Sequence, residues 1–121
     1  MDPVRIERQD GIATVTLDDG DENRVGRDLA EGLREAALKL SDAPPQAVIL
    51  RGSRCFSAGL ALRDDPLYPP FVQLLGNRDA FRAQEFVTRY RNALEGFARL
   101  PCLVVAAIEG ECIGPGLGLA L

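Results

Sequence analysis

Four glycines, Gly110, Gly114, Gly116 and Gly118, are spaced 4, 2 and 2 apart directly after the apolar run Val104-Val105-Ala106-Ala107-Ile108. The pattern predicts a buried strand, a tight turn with close backbone approach, and the start of a helix whose apolar tail is Leu119-Ala120-Leu121. Backbone N–H groups at a helix start lack intrahelical acceptors and can meet a negative charge. A second segment has the same character: Ala47-Val48-Ile49-Leu50 runs into Gly52 and then into Phe56-Ser57-Ala58-Gly59. Two strand-to-glycine turns of this kind, brought together, can aim backbone donors at one anionic point, which is how an oxyanion hole is built.

The elements that must position these turns read off in order. Val4 to Arg8 alternates as a strand, Asp10-Gly11 is a hairpin signal, and Ile12 to Leu17 is the returning strand. Asp18-Asp19-Gly20-Asp21 is a loop. A helix from about Val25 to Leu40 carries Leu29, Leu33, Ala36, Ala37 and Leu40 on one face and stops at Ser41-Asp42-Ala43-Pro44-Pro45. Ala47 to Leu50, without alternation, predicts a strand buried on both faces. Residues 62–78, with Asp64, Asp65, three prolines and Gly76, read as an irregular loop of functional length. A second helix, about Asp79 to Leu100, has the stripe Phe86, Tyr90, Ala93, Leu94 and Phe97; Pro101 ends it and Cys102 to Ile108 is the fourth strand. The order ββαβαβ predicts an α/β fold with helical crossovers.

Composition narrows the chemistry. The 121 residues carry 14 basic and 18 acidic side chains, a formal charge of −4, with no basic run, which argues against nucleic acid as a partner. The 46% apolar content argues against disorder, and no apolar run approaches the ~20 residues that span a bilayer. Met1-Asp2-Pro3-Val4-Arg5 is not a secretory leader, so a cytoplasmic location is expected. Histidine is absent, so neither Ser-His-Asp nor Cys-His chemistry nor a histidine-ligated metal is available here, and no metal site is expected. Cys55, Cys102 and Cys112 have no C-x-x-C spacing and each sits beside apolar residues; they are expected to pack as small hydrophobes. Gly114-Pro115-Gly116-Leu117-Gly118 lacks the G-x-G-x-x-G spacing of a dinucleotide site.

From about residue 4 to its end the chain resembles the crotonase superfamily, the enoyl-CoA hydratase/isomerase proteins. Phe56-Ser57-Ala58-Gly59 looks like the family's F-S-A-G turn, and Ala106-Ala107-Ile108-Glu109-Gly110 through Gly118 looks like its A-A-V-x-G-x-x-x-G-x-G segment. Leu17 to Asn23, with the helix that follows, is similar to the family's opening strand, N-A-L-type turn and first helix. The resemblance implies the crotonase spiral, stacked ββα units with helices outside. It also implies a complete domain about twice as long, so that 1–121 is expected to be the N-terminal part of a crotonase-like domain, truncated.

Site roles follow from the resemblance. The backbone N–H of Ala58 is expected to donate to a thioester oxygen, and Ser57, Gly59, Leu60, Ala61 and Gly114 to line the substrate, with carbonyls near Leu60 meeting the adenine of coenzyme A. An aspartate is common in the family at Ala61; its absence removes a loop contact. Arg54 and Arg63 flank the turn as candidate partners of the coenzyme A phosphates or as solvated surface arginines. Pro115 falls where the family's second oxyanion donor sits and has no N–H, so Gly116 is the expected replacement. Gly118 occupies the position of a glutamate that moves a proton in the family's hydratases, and Glu109 and Glu111 are expected to cap or to lie at the surface, the alternative being a general acid/base role. The implied function is an acyl-CoA enzyme that stabilises a thioester enolate, of isomerase or hydratase type. The alternative is a non-catalytic acyl-CoA binder or assembly partner. No cofactor is implied beyond coenzyme A on the substrate, and a homotrimer or hexamer is the expected assembly.

Overall fold

A computed structural model describes residues 2–59, 76 and 80–121. Its four strands are β1 (Val4–Gln9), β2 (Ile12–Leu17), β3 (Ala47–Gly52) and β4 (Leu103–Ala107), in the sheet order β1-β2-β3-β4. The Asp10-Gly11 turn, with φ of 52° and 81°, folds β1 antiparallel onto β2 and pairs Gln9 with Ile12. Helix α1 (Arg27–Asp42) carries the chain across to β3, which runs parallel to β2 with Val15 opposite Leu50. Helix α2 (Ala80–Glu95) and a 3₁₀ turn (Gly96–Arg99) make the second crossover, to β4, parallel to β3 with Val48 opposite Val104. A short helix, α3 (Pro115–Ala120), follows.

The expected α/β order ββαβαβ is therefore the observed one. Helix α1 begins two residues later than the periodicity predicts and keeps its predicted face: Leu29, Leu33, Ala36, Ala37 and Leu40 are all buried. They pack with Val4, Ala13, Val15, Leu17, Val48, Leu50, Ala93 and Phe97 into one core on the helical side of the sheet. The second helix is shorter than predicted, closing at Glu95 before its 3₁₀ turn, whose Phe97 is buried. The loop predicted over 62–78 lies outside the described residues apart from Gly76, whose backbone is helical.

One expectation needs correction. Strand β3 is not buried on both faces: Val48 and Leu50 are buried, whereas Ala47 and Ile49 on the opposite face are half-exposed. Strand β4 repeats this more strongly, with Leu103 and Val105 open to solvent. The cause is one-sided packing. The helices cover the face that carries Val15, Leu50 and Val104, while Ile49 and Val105 on the other stay partly open. A β-branched run reports that a strand is apolar on both sides, not that both sides are covered.

Candidate functional site

The two glycine turns lie side by side. Beyond the ends of β3 and β4 the parallel pairing continues in irregular form. The Phe56 N–H donates to the Glu109 carbonyl at 2.9 Å, the Ser57 N–H to the Glu111 carbonyl at 2.9 Å, and the Ile113 N–H to the Ser57 carbonyl at 3.2 Å. Ser57 and Cys112 form a parallel bridge. The side chains of Glu109 and Glu111 are exposed, as expected, while their carbonyls do the holding.

A third segment closes the site from the other side. Asn23, fully buried, takes the left-handed φ of 54° that asparagine tolerates better than most residues. Its Nδ2 donates to the Leu17 carbonyl at 2.9 Å and to the Cys55 carbonyl at 3.0 Å, and its Oδ1 accepts the Asp19 N–H at 3.1 Å. The Ser57 hydroxyl donates to the Asn23 carbonyl at 2.6 Å. The Ala58 N–H donates to the Glu22 carbonyl at 2.9 Å, and the Val25 N–H to the Gly59 carbonyl at 2.7 Å. Sequence reasoning placed Asn23 only in a turn. Its one signal was its type, an asparagine after an Asp/Gly-rich loop and just before a helix.

The expected site residues that lie within the described chain can now be placed. Ser57, Ala58 and Gly59 are buried in the turn, and the Ser57 hydroxyl faces Asn23 rather than solvent. Gly59 has φ +108°, a conformation that a side chain strains, and a Cβ there would lie 3.4 Å from Ile113. Arg54 is exposed beside the turn. Leu60, Ala61 and Arg63 lie outside the described residues. Gly114 is exposed, and Pro115 opens α3 at its first position, where a missing N–H costs least. The Gly116 N–H donates to the Ile113 carbonyl at 3.1 Å. Gly116 is also where the turns touch most closely: a Cβ on it would sit 2.3 Å from Ser57 Cβ and 2.6 Å from Ser57 Oγ. At Gly118 a Cβ would meet nothing within 4 Å. For Ala58 or Gly116 to serve an incoming oxyanion, each amide has to share or release the carbonyl it now holds.

Burial pushes the Cys55 thiol above the ordinary value of 9.0, and the carboxylates of Glu22, Glu111 and Asp19 push it the same way. Burial alone raises Cys112. Such thiols stay protonated at neutral pH and are poor nucleophiles. Among the described residues no group of histidine, cysteine, aspartate and glutamate side chains is arranged to hold a metal ion.

Known proteins share this fold. A solved enoyl-CoA hydratase/carnithine racemase from Magnetospirillum magneticum superposes over 99% of the chain with a TM-score of 0.80 and 35% identity. The mitochondrial Delta(3,5)-Delta(2,4)-dienoyl-CoA isomerase of Rattus norvegicus is 32% identical over 102 residues, 80% of the chain. The chain belongs to the crotonase superfamily. A further relative, 4-chlorobenzoyl coenzyme A dehalogenase-1 of Arthrobacter sp, is 31% identical over 98% of the chain. The chain spans less than half the length of each: 43% of the solved structure, 31% of the isomerase and 42% of the dehalogenase. No family profile matches it. The ββα units of the fold are thus crotonase units, and no described helix is long and apolar enough to cross a membrane.

Proposed function

We propose that this protein binds an acyl-CoA thioester where the turn at Ser57-Ala58-Gly59 meets the segment Ile113 to Gly118, and that it carries isomerase- or hydratase-type proton chemistry on the thioester enolate. The observation that carries the reading is the ladder from Phe56 and Ser57 to Glu109, Glu111 and Ile113. It holds the two glycine turns side by side, so that the amides of Ala58 and Gly116, once turned from the carbonyls of Glu22 and Ile113, are the donors proposed to meet one oxygen. Enolate formation puts charge on that oxygen, and a fixed donor there is worth roughly 3–4 kcal/mol. Ala58 is the proposed first donor and Gly116 the second, in place of Pro115; Arg54 and Arg63 are the proposed partners of the coenzyme A phosphates. The relatives named as acting on dienoyl-CoA, enoyl-CoA and chlorobenzoyl-CoA differ in acyl group and agree on coenzyme A. Coenzyme A therefore enters as part of the substrate, with no separate cofactor. The proposed assembly is a homotrimer or hexamer in the cytoplasm.

A second reading, a crotonase-fold acyl-CoA binder without turnover, draws on three observations. Pro115 has no N–H to give, Gly118 has no carboxylate, and the amides of Ala58 and Gly116 are already engaged with Glu22 and Ile113. An oxyanion hole works because its donors are unoccupied and aimed in advance.

One variant tests the site that both readings share, and a second separates them. Gly59→Val places a branched side chain at φ +108° against Ile113, and calorimetric titration with acetyl-CoA is expected to show no binding. Unchanged binding removes the site from this turn. Pro115→Gly, assayed on enoyl-CoA substrates, restores a backbone donor; a gain in kcat approaching the ~10²-fold worth of one donor supports catalysis limited by Pro115. Binding with no turnover in either form supports the non-catalytic reading.

A further inference from the structure

The Ser57 hydroxyl is turned toward the Asn23 loop and lies against Gly116, and its contacts are too specific for a filler. The side chain is fully buried. Its Oγ donates to the Asn23 carbonyl at 2.6 Å and accepts the Gly59 N–H at 3.3 Å. The backbone of the same residue is bonded in the opposite direction, through its N–H to Glu111 and through its carbonyl to Ile113. Its Cβ is the atom that Gly116 leaves room for, at 2.3 Å from where a Cβ would stand. One residue thus touches the Asn23 loop, the segment 111–113 and the first turn of α3. Asn23 in turn is tied to the end of β2 through Leu17 and to the start of the turn through Cys55.

We propose that Ser57 is a positioning residue, latched by its hydroxyl to the carbonyl of the buried Asn23, and that this latch sets the distance between the Ala58-Gly59 turn and the start of α3. The proposal rests on the acyl-CoA reading above, since that distance is the width available to a thioester. The physical basis is that a short, buried hydroxyl bond and a side-chain-free contact at Gly116 leave Ser57 one place to sit. Loss of the hydroxyl lets the turn rotate about its ladder without breaking the sheet. Ser57 is therefore expected to act through Ala58 and Gly59 and not by touching substrate.

The test is Ser57→Ala, read in two ways at a temperature where circular dichroism shows it fully folded. Acetyl-CoA affinity by calorimetry is expected to fall about tenfold, the worth of one buried hydrogen bond. Amide exchange at Ala58, Gly59 and Ile113 is expected to quicken by a similar factor, with Val15 and Val48 in the sheet unchanged. Gly116→Ala, which pushes α3 off Ser57 with the hydroxyl intact, is expected to weaken affinity by at least as much. Adding Ser57→Gly to Gly116→Ala removes the clash and is expected to restore thermal stability but not affinity. Affinity within twofold of the unaltered protein in Ser57→Ala, with unchanged exchange in the turn, overturns the proposal and leaves the acyl-CoA reading standing. No heat from acetyl-CoA with the unaltered protein overturns both.

Discussion

Asn23 shows how much of this site depends on a residue with no chemistry to perform. It is buried with every side-chain polar atom bonded, and its backbone is left-handed. Asn23→Gly keeps the backbone and takes the Nδ2 donor from the Cys55 carbonyl and the Oδ1 acceptor from the Asp19 N–H, while the Leu17 carbonyl keeps the Ser53 N–H; the expected cost is about 2 kcal/mol in urea unfolding. Asn23→Ala adds the penalty of a Cβ at positive φ, about 1 kcal/mol more. Equal costs for the two would mean that backbone conformation contributes nothing at this position. The thiols give a pH dependence with a definite sign. Cys55 and Cys112 are held protonated in the fold. Their contribution to stability is present in full below the ordinary thiol value of 9.0, and it is lost as pH rises from there through the raised folded values. Alkylation by iodoacetamide at pH 7 is accordingly expected to be slower at both than at a free thiol, with Cys55 slower than Cys112 because three carboxylates add to its burial.

Helix α3 holds two glycines with opposite consequences. Gly116→Ala drives a Cβ into Ser57 and is expected to destabilise by about 2 kcal/mol, as overpacking does. Gly118→Ala, two residues on, faces open space and is expected to stabilise by about 0.5–1 kcal/mol through helix propensity. Thermal unfolding of the pair checks this, and the same sign for both would contradict the packing described. The contrast also marks what the sequence could tell. Strands β1 to β4, the face of α1 and the glycine segments were legible because periodicity and glycine spacing are local signals. That the two turns meet was implied by the family resemblance. Which glycine is needed for contact was not legible, because that depends on Ser57, some sixty residues earlier. The engagement of the Ala58 and Gly116 amides was hidden for the same reason: a backbone N–H carries no residue type, and its acceptor is set by tertiary packing. The exposed face of β3 and β4 was misread because an apolar strand looks alike in sequence whether or not its second side is covered.

The described molecule has its core on the helical side of the sheet, and apolar side chains of β4 and of the segment after it are exposed. Leu103 is 66% exposed and Leu121 96%, and Val105, Ile108, Ile113 and Leu117 are exposed with them. Exposed apolar surface on this scale marks an interface or an aggregation site. Sedimentation of the 121-residue chain is expected to show association, and a compact monomer that unfolds cooperatively would mean that this surface is tolerated in water. The central claim is narrower: a crotonase-type acyl-CoA site lies where two glycine turns are laddered together and latched to Asn23. Amide chemical-shift mapping during titration with acetyl-CoA tests it most directly. The predicted result is saturable shifts concentrated at Ser57, Ala58, Gly59, Gly114 and Gly116, with the β1–β2 hairpin unmoved. Saturable shifts centred elsewhere, or none at millimolar acetyl-CoA, would contradict it.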